Sequence, residues 1–339
     1  MFTRRTLFIL GAGSSYEAGL PVGVDLAKII REKMDVRFER FTEPIGSGDY
    51  DLYTHIVHTD RQHGDAFWQA AQRIEAGLGF AQSIDDFLDQ HRSDSYVNLY
   101  GKAAIVRSVL EAEAKSKFYF DRHAEGDAFD PDKFADTWFA KFMYMLGRGV
   151  SKENASGIFD NVRFVIFNYD RCVEHFLFNA LKRLYSLSDE TTSSITDEVQ
   201  IFHPYGITGS LRDVPFGATR ADYVALAQGI KTYTEQIAAA DVIAQLADEV
   251  YQAACVVFLG FAYHSQNMQM LKPQKRMNAE IFGTAYKMSD SDVNIVTHQL
   301  VNFLPTDVSV QERRRMIHLE NNLTCSALFD YYTKSLSGD

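Results

Sequence analysis

Four stretches in this chain place small or polar residues directly after runs that favour β-strands. Gly11-Ala12-Gly13 with Ser15 follows Thr6 to Leu10, and Asn168 and Asp170 follow Val162 to Phe167. His203 with Gly206 follows Val199 to Phe202, and Gly260-Phe261 follows Cys255 to Leu259. Glycines at 11 and 13 let backbone N–H groups approach an anion closely, and the positive end of a following helix favours a pyrophosphate there. A dinucleotide is the first ligand to consider. Asn168 has no proton to exchange at neutral pH, but its amide can position a water or a hydroxyl. His203, with an ordinary pKa near ~6.5, is the natural general base. Asp170 reads equally well as a ligand contact or as a cap for a helix starting at Cys172.

These groups need a scaffold that brings distant strand ends to one rim. Strands alternate with helical patterns along the chain, and each strand ends in small or polar residues. The expected fold is therefore α/β, a Rossmann-like, mostly parallel sheet with helices on both faces and a large helical insertion after the first βα unit. Residues 1–34 and 157–339 are assigned to the core and its C-terminal helices, and 35–156 to an inserted helical subdomain. A helix is expected over Val24 to Met34. The next parallel strand, due within about 20 residues in a dehydrogenase-type unit, is missing, because Arg37 to Tyr53 reads as loop. Helices follow over Ala66 to Leu78, Ile84 to Gln90, Tyr96 to Phe120 and Pro131 to Leu146, and their aromatics read as core. Farther on, Cys172 to Leu184 reads as a helix, 186–198 as a loop and Arg220 to Ala254 as helical with a break near Gly229. Asn267 to Leu271 begins a further helix, a strand lies near Ile281 to Thr284, and the last helices cover Ser291 to Phe303 and Cys325 to Leu336.

Composition narrows the partners. A 339-residue chain with 46% hydrophobic residues can bury a full core, and a net charge of -11 argues against a direct grip on nucleic acid. Three cysteines without a Cys-x-x-Cys pair indicate neither a disulfide framework nor a zinc ribbon, and fit a reducing cytoplasm. No apolar run is long enough to span a membrane. Arg4-Arg5 reads as a basic lead-in to the first strand rather than an export signal. His55, His58 and His63 lack a frame of further ligands, so no metal site is expected. Asp85-Asp86 reads as the solvated first turn of a helix capped by Ser83.

Gly11-Ala12-Gly13-Ser14-Ser15 followed by Ala18-Gly19-Leu20-Pro21 resembles the cofactor loop of the sirtuins. Phe167-Asn168-Tyr169-Asp170 is similar to that family's Asn-x-Asp element, and His203-Pro204-Tyr205-Gly206 to its His-Gly element. Phe258-Leu259-Gly260-Phe261 with Asn267 is similar to a late motif of the sirtuin-like NAD-hydrolysing domains of bacterial anti-phage systems. The four motifs occur in family order between residues 7 and 271. The chain departs from the protein deacylases in three places. It lacks the four zinc cysteines, has Val22-Gly23-Val24 where they have Asp-Phe-Arg, and has Phe167 in place of a glutamine.

The resemblance implies an NAD+ glycohydrolase that releases nicotinamide and ADP-ribose, a defence effector without zinc. Asn168 and His203 would be catalytic, and Gly11, Ala12, Gly13, Ser15, Ala18, Gly19, Asp170, Gly206, Gly260, Phe261 and Asn267 would hold the cofactor. It also implies a homo-oligomer with low activity until a second protein, often a ring-forming DNA-translocating ATPase, acts on it. The chemistry is consistent: breaking the nicotinamide–ribose bond builds an oxocarbenium-like centre, which requires a fixed pyrophosphate and a steered nucleophile. A module that senses NAD or ADP-ribose without turnover is the second reading, and a protein deacylase the third.

Overall fold

Thr6–Leu10 is apolar or β-branched at every position and forms β1, buried on both sides at the centre of the sheet. The other strands are β2 (Val162–Ile166), β3 (Gln200–Phe202), β4 (Cys255–Leu259), β5 (Glu280–Thr284) and β6 (Ile317–Glu320). In the computed structural model, which describes residues 2–39, 43–237 and 240–338, they form one sheet in the order β3-β2-β1-β4-β5-β6. All five pairings are parallel, with Thr6 opposite Val162 on one side and Cys255 on the other. This is the strand order of dinucleotide-binding Rossmann folds. The order reverses between β1 and β4, which is where such sheets open a crevice at their carboxyl edge.

The helices form a layer on each face, following the side-chain alternation of the strands. Leu7 and Ile9 of β1 face one layer, which holds α2 (Gly23–Lys33), α3 (Tyr50–Thr59), α4 (Gly64–Gly77), α5 (Ile84–Gln90) and α6 (Ser95–Lys115). Phe8 and Leu10 face the other, which holds α7 (Trp138–Gly147) and α8 (Cys172–Tyr185) with Phe118, Phe129 and Phe134. The expected insertion, 35–156, is thus spread over both layers: its first part packs with Leu7 and Ile9, its second with Phe8 and Leu10. Most of its aromatics are core, as Phe118 meets Phe139 edge-on at 4.8 Å and Phe8 meets Phe142 at 5.2 Å, whereas Trp68, Tyr119 and Tyr144, also expected in the core, are exposed.

Several local expectations are corrected. The stretch 37–53, read as loop, contains a short hairpin (Phe38–Glu39 with Glu43–Pro44) and the start of α3, whose N-cap Asp49 accepts from the Leu52 amide at 3.0 Å. The loop 186–198 contains α9 (Asp189–Thr196), capped by Ser188 with Asp189 and Glu190 in its first turn. The helix from Tyr96 stops at Lys115 rather than Phe120, and Pro131–Lys133 is a separate 3-10 turn ahead of α7. The stretch 220–254 does break around Gly229, between α10 (Tyr223–Ala227) and α11 (Tyr233–Ile237), and continues as α12 (Ala240–Gln252); residues 238 and 239 lie outside the described ones. Farther along come α13 (Ser265–Met270), α14 (Asp290–Val301) and α15 (Val310–Arg315). Unread in the sequence were α15, with its Ser309–Glu312 capping box, and β6. The last helix divides at Tyr332 into α16 (Cys325–Tyr331) and α17 (Thr333–Ser337).

Candidate functional site

The loop after β1 enters a short helix, α1 (Ala12–Tyr16), and packs directly on the loop after β4. The Gly11 amide donates to the Leu259 carbonyl at 3.0 Å, the Gly13 amide to the Gly260 carbonyl at 3.0 Å, and the Ser14 amide to the Gly11 carbonyl at 2.8 Å. A side chain at Gly11 or Gly13 would strike Gly260, at 2.6 and 2.8 Å from its carbonyl oxygen and Cα. Gly260 itself has φ +55, and a Cβ there would lie 2.0 Å from the Ser14 nitrogen. In this structure the glycines therefore serve backbone-to-backbone contact between the two central loops, with three of their amides already paired. Gly260→Ala is expected to cost about 2–4 kcal/mol through strain and overlap, measured by urea unfolding; a loss under about 0.5 kcal/mol would contradict this packing.

Ser14 and Ser15 are buried and point at the end of β2. The Asn168 amide donates to Ser15 Oγ at 3.1 Å and to Ser14 Oγ at 3.4 Å, and Ser15 Oγ donates to Asp170 Oδ1 at 3.0 Å. Asp170 Oδ1 also accepts from the Cys172 amide at 3.1 Å, so it ties down the first turn of α8. Burial pushes its carboxyl up from the ordinary value, against the pull of the Cys172 and Ser15 hydrogen bonds. Thus Gly11, Ala12, Gly13, Ser15, Asn168, Asp170, Gly260 and Phe261 meet at the switch point of the sheet.

His203, one strand farther out, is joined to a residue the sequence reading missed. Its Nε2 lies 2.7 Å from Oε1 of Glu174, in the first turn of α8. Burial alone would lower the imidazole pKa, but the Glu174 charge and hydrogen bond, helped by the Asn168 main chain and Asp170, hold it above the ordinary value. The available signal was positional: Glu174 stands four residues after Asp170, on the helical turn that rises from the rim.

Three buried polar atoms here have no hydrogen-bond partner: Asn168 Oδ1, His203 Nδ1 and Glu174 Oε2. Buried polar groups are normally paired, which sets these three atoms apart from the rest of the rim.

Aromatic side chains close the rim. Phe167 packs on Phe261 at 5.2 Å and on Tyr205 at 5.8 Å, and the Tyr205 hydroxyl donates to Asn267 Oδ1 at 2.6 Å. The Tyr169 hydroxyl donates to Asp85. That corrects the reading of Asp85 as solvated: it crosses from α5 to the strand end, and burial raises its carboxyl despite the Tyr169 hydrogen bond. The remaining sequence candidates have backbone roles. Gly206, at φ +79, lets the chain pass the Gly229 carbonyl, 1.9 Å from where a Cβ would stand. The Ala18 carbonyl accepts from the Lys117 amide at 2.9 Å, and Gly19 faces Ser116. An open cleft of about 590 Å³ lies elsewhere, between α3, α6 and Thr219 to Tyr223.

Behind the rim sits a buried ion pair that the sequence did not reveal. Glu113 on α6 and Arg171 are both fully buried, and Arg171 Nε donates to Glu113 Oε1 at 3.0 Å. Arg171 also donates to the Gly209 and Val214 carbonyls, and the Gly217 amide donates to Glu113 Oε2. The His55–His63 region holds no metal frame: His55 faces Asp222 and His63 faces Asp60, and no cluster of three or more metal-ligating side chains occurs among the described residues. No helix among them is long and apolar enough to cross a membrane.

Fold and site together define a Rossmann-like α/β protein with a closed polar cluster at its switch point. No protein-family model matches the chain, and no curated protein matches it.

Proposed function

We propose that the chain is a sirtuin-like NAD+ glycohydrolase that hydrolyses the nicotinamide–ribose bond, with Asn168 positioning the reacting water or ribose hydroxyl and His203 accepting its proton. One observation carries this reading: Asn168 Oδ1 and His203 Nδ1 are both buried and unpaired on neighbouring strand ends, beside the glycine loop at the crevice where Rossmann sheets take dinucleotides. Water adds to the anomeric carbon, the N-glycosyl bond electrons leave with nicotinamide, and the water proton passes to His203. The products are nicotinamide and ADP-ribose. Gly11, Ala12, Gly13, Ser15, Gly260 and Phe261 would hold the dinucleotide.

The closed rim supports a resting state. Phe167, Tyr169, Tyr205 and Phe261 are each buried, and the paired amides of Gly11 to Ser14 would have to turn outward to hold a pyrophosphate. On this reading the enzyme works in the cytoplasm as a homo-oligomer, and its activity rises when a second protein, of the ring-forming ATPase kind, opens the rim. An acidic chain of net charge -11 fits a protein partner better than nucleic acid. The same closure favours one alternative, a sensor that binds NAD or ADP-ribose without turnover.

The test is chromatographic measurement of nicotinamide released from NAD+ by the purified chain, alone and with the product of the neighbouring gene. Release is expected to increase with the partner. Tight NAD+ binding without release under both conditions would leave the sensor reading in its place. NAD+ at about 100 times its Kd should also raise unfolding stability by about 2.7 kcal/mol, which differential scanning calorimetry reads.

A further inference from the structure

We propose that Glu174 is a positioning residue for His203, fixing the imidazole so that Nε2 carries the proton and Nδ1 turns its lone pair toward the reacting hydroxyl. The inference deepens the cleavage reading and rests on it for the identity of the substrate.

A carboxylate only accepts hydrogen bonds, so Glu174 Oε1 at 2.7 Å requires a proton on Nε2. In the neutral ring Nδ1 is then the acceptor. That nitrogen is buried and has no partner of good geometry. His175, the next residue on α8, shows the contrast. Its Nε2 meets the Phe118 carbonyl at 3.1 Å, its ring stacks on Phe216 at 4.0 Å, and burial lowers it to about 3. His175 is a packed structural histidine, whereas His203 has one nitrogen held and one left over. Such a carboxylate–imidazole–nucleophile line sets the tautomer and stabilises the imidazolium formed when the base takes its proton.

The placement follows from the fold. Asp170 ties the first turn of α8 to the end of β2, which presents Glu174 toward β3, where His203 emerges. The titratable groups facing His203 are Glu174 from α8 and Asp170 from the end of β2, and both favour the charged ring. A base raised in this way is lost as pH falls through its raised value, so the acid limb of cleavage lies on the alkaline side of the ordinary imidazole value. Removing the Glu174 charge leaves burial the larger influence and moves that limb down.

The experiment uses the full chain labelled with ¹⁵N-histidine, its His203 signals assigned by difference with His203→Gln, together with pH profiles of nicotinamide release in the presence of the partner. Wild type is expected to show protonated Nε2 and unprotonated Nδ1 above its titration. Glu174→Gln is expected to titrate about 1 pH unit or more lower and to lose about 10-fold or more in kcat, with its acid limb shifted to match. Glu174→Asp keeps the charge and should recover the wild-type direction of both. A proton on Nδ1 in wild type, or an unmoved titration in Glu174→Gln, overturns the assignment whatever the activity. Failure of wild type to release nicotinamide overturns the cleavage reading instead, because the nitrogen shifts report the hold of Glu174 on the ring independently.

Discussion

His203→Ala is expected to lower nicotinamide release by about 10²- to 10⁴-fold, the span a positioned general base contributes. The fold should survive the change. His203 is in the turn after β3, its side-chain hydrogen bond is to Glu174, and its Nδ1 has no partner of good geometry. Asn168→Ala should fall by a comparable factor, about 10²- to 10³-fold, by loss of one preorganised polar contact. It will also unfold somewhat more easily, because its amide nitrogen bonds Ser14 and Ser15. The two variants together should be little worse than the worse one, since residues acting on one proton are strongly non-additive. The measurement is kcat/KM for nicotinamide release with circular dichroism as a check on folding. Activity within 3-fold of wild type in both single variants, which about 0.65 kcal/mol would account for, would end the proposal that these side chains do the chemistry.

The second large effect concerns stability. Glu113→Gln keeps the shape of the side chain but leaves the Arg171 charge uncompensated in a fully buried site, an arrangement that costs about 3–5 kcal/mol. Arg171 also satisfies the carbonyls of Gly209 and Val214, so Arg171→Met strands acceptors as well as the carboxylate. Exchanging both residues for apolar ones should recover part of the loss by removing both charges. Full recovery is not expected, because the Gly217 amide and the two carbonyls keep no partner. Urea midpoints read all three variants, and a Glu113→Gln loss below about 1 kcal/mol would contradict the pairing. The pair lies one residue from Asp170, so the single variants should also loosen the strand end that carries Asn168.

Much of the sheet was legible because its signals are local. β4 is an uninterrupted apolar run of five residues, and β1 and β2 are apolar or β-branched apart from the half-buried Arg163, close to the pattern of strands buried on both faces. α5 was placed to the residue because Ser83 caps it. α15 and β6 escaped notice because they are short and half polar. The helices of 35–156 were largely recognisable. Their division between the two faces was not, since periodicity names a buried stripe without saying which partner buries it.

By itself the sequence determined which residues stand at the strand ends, because a parallel strand must finish where its apolar run meets glycine, asparagine or histidine. It could not determine what those residues touch. Gly11 and Gly13 were read as room for a phosphate and Gly260 as a cofactor contact, and the folded chain also uses these glycines to bring two loops into backbone contact. Glu174 for His203, Asp85 for Tyr169 and Glu113 for Arg171 are partners separated by 29, 84 and 58 positions. Their selection is a tertiary matter: a buried charge or hydroxyl must find its complement in space, and only the packing of α5, α6 and α8 around the sheet edge brought these complements within reach.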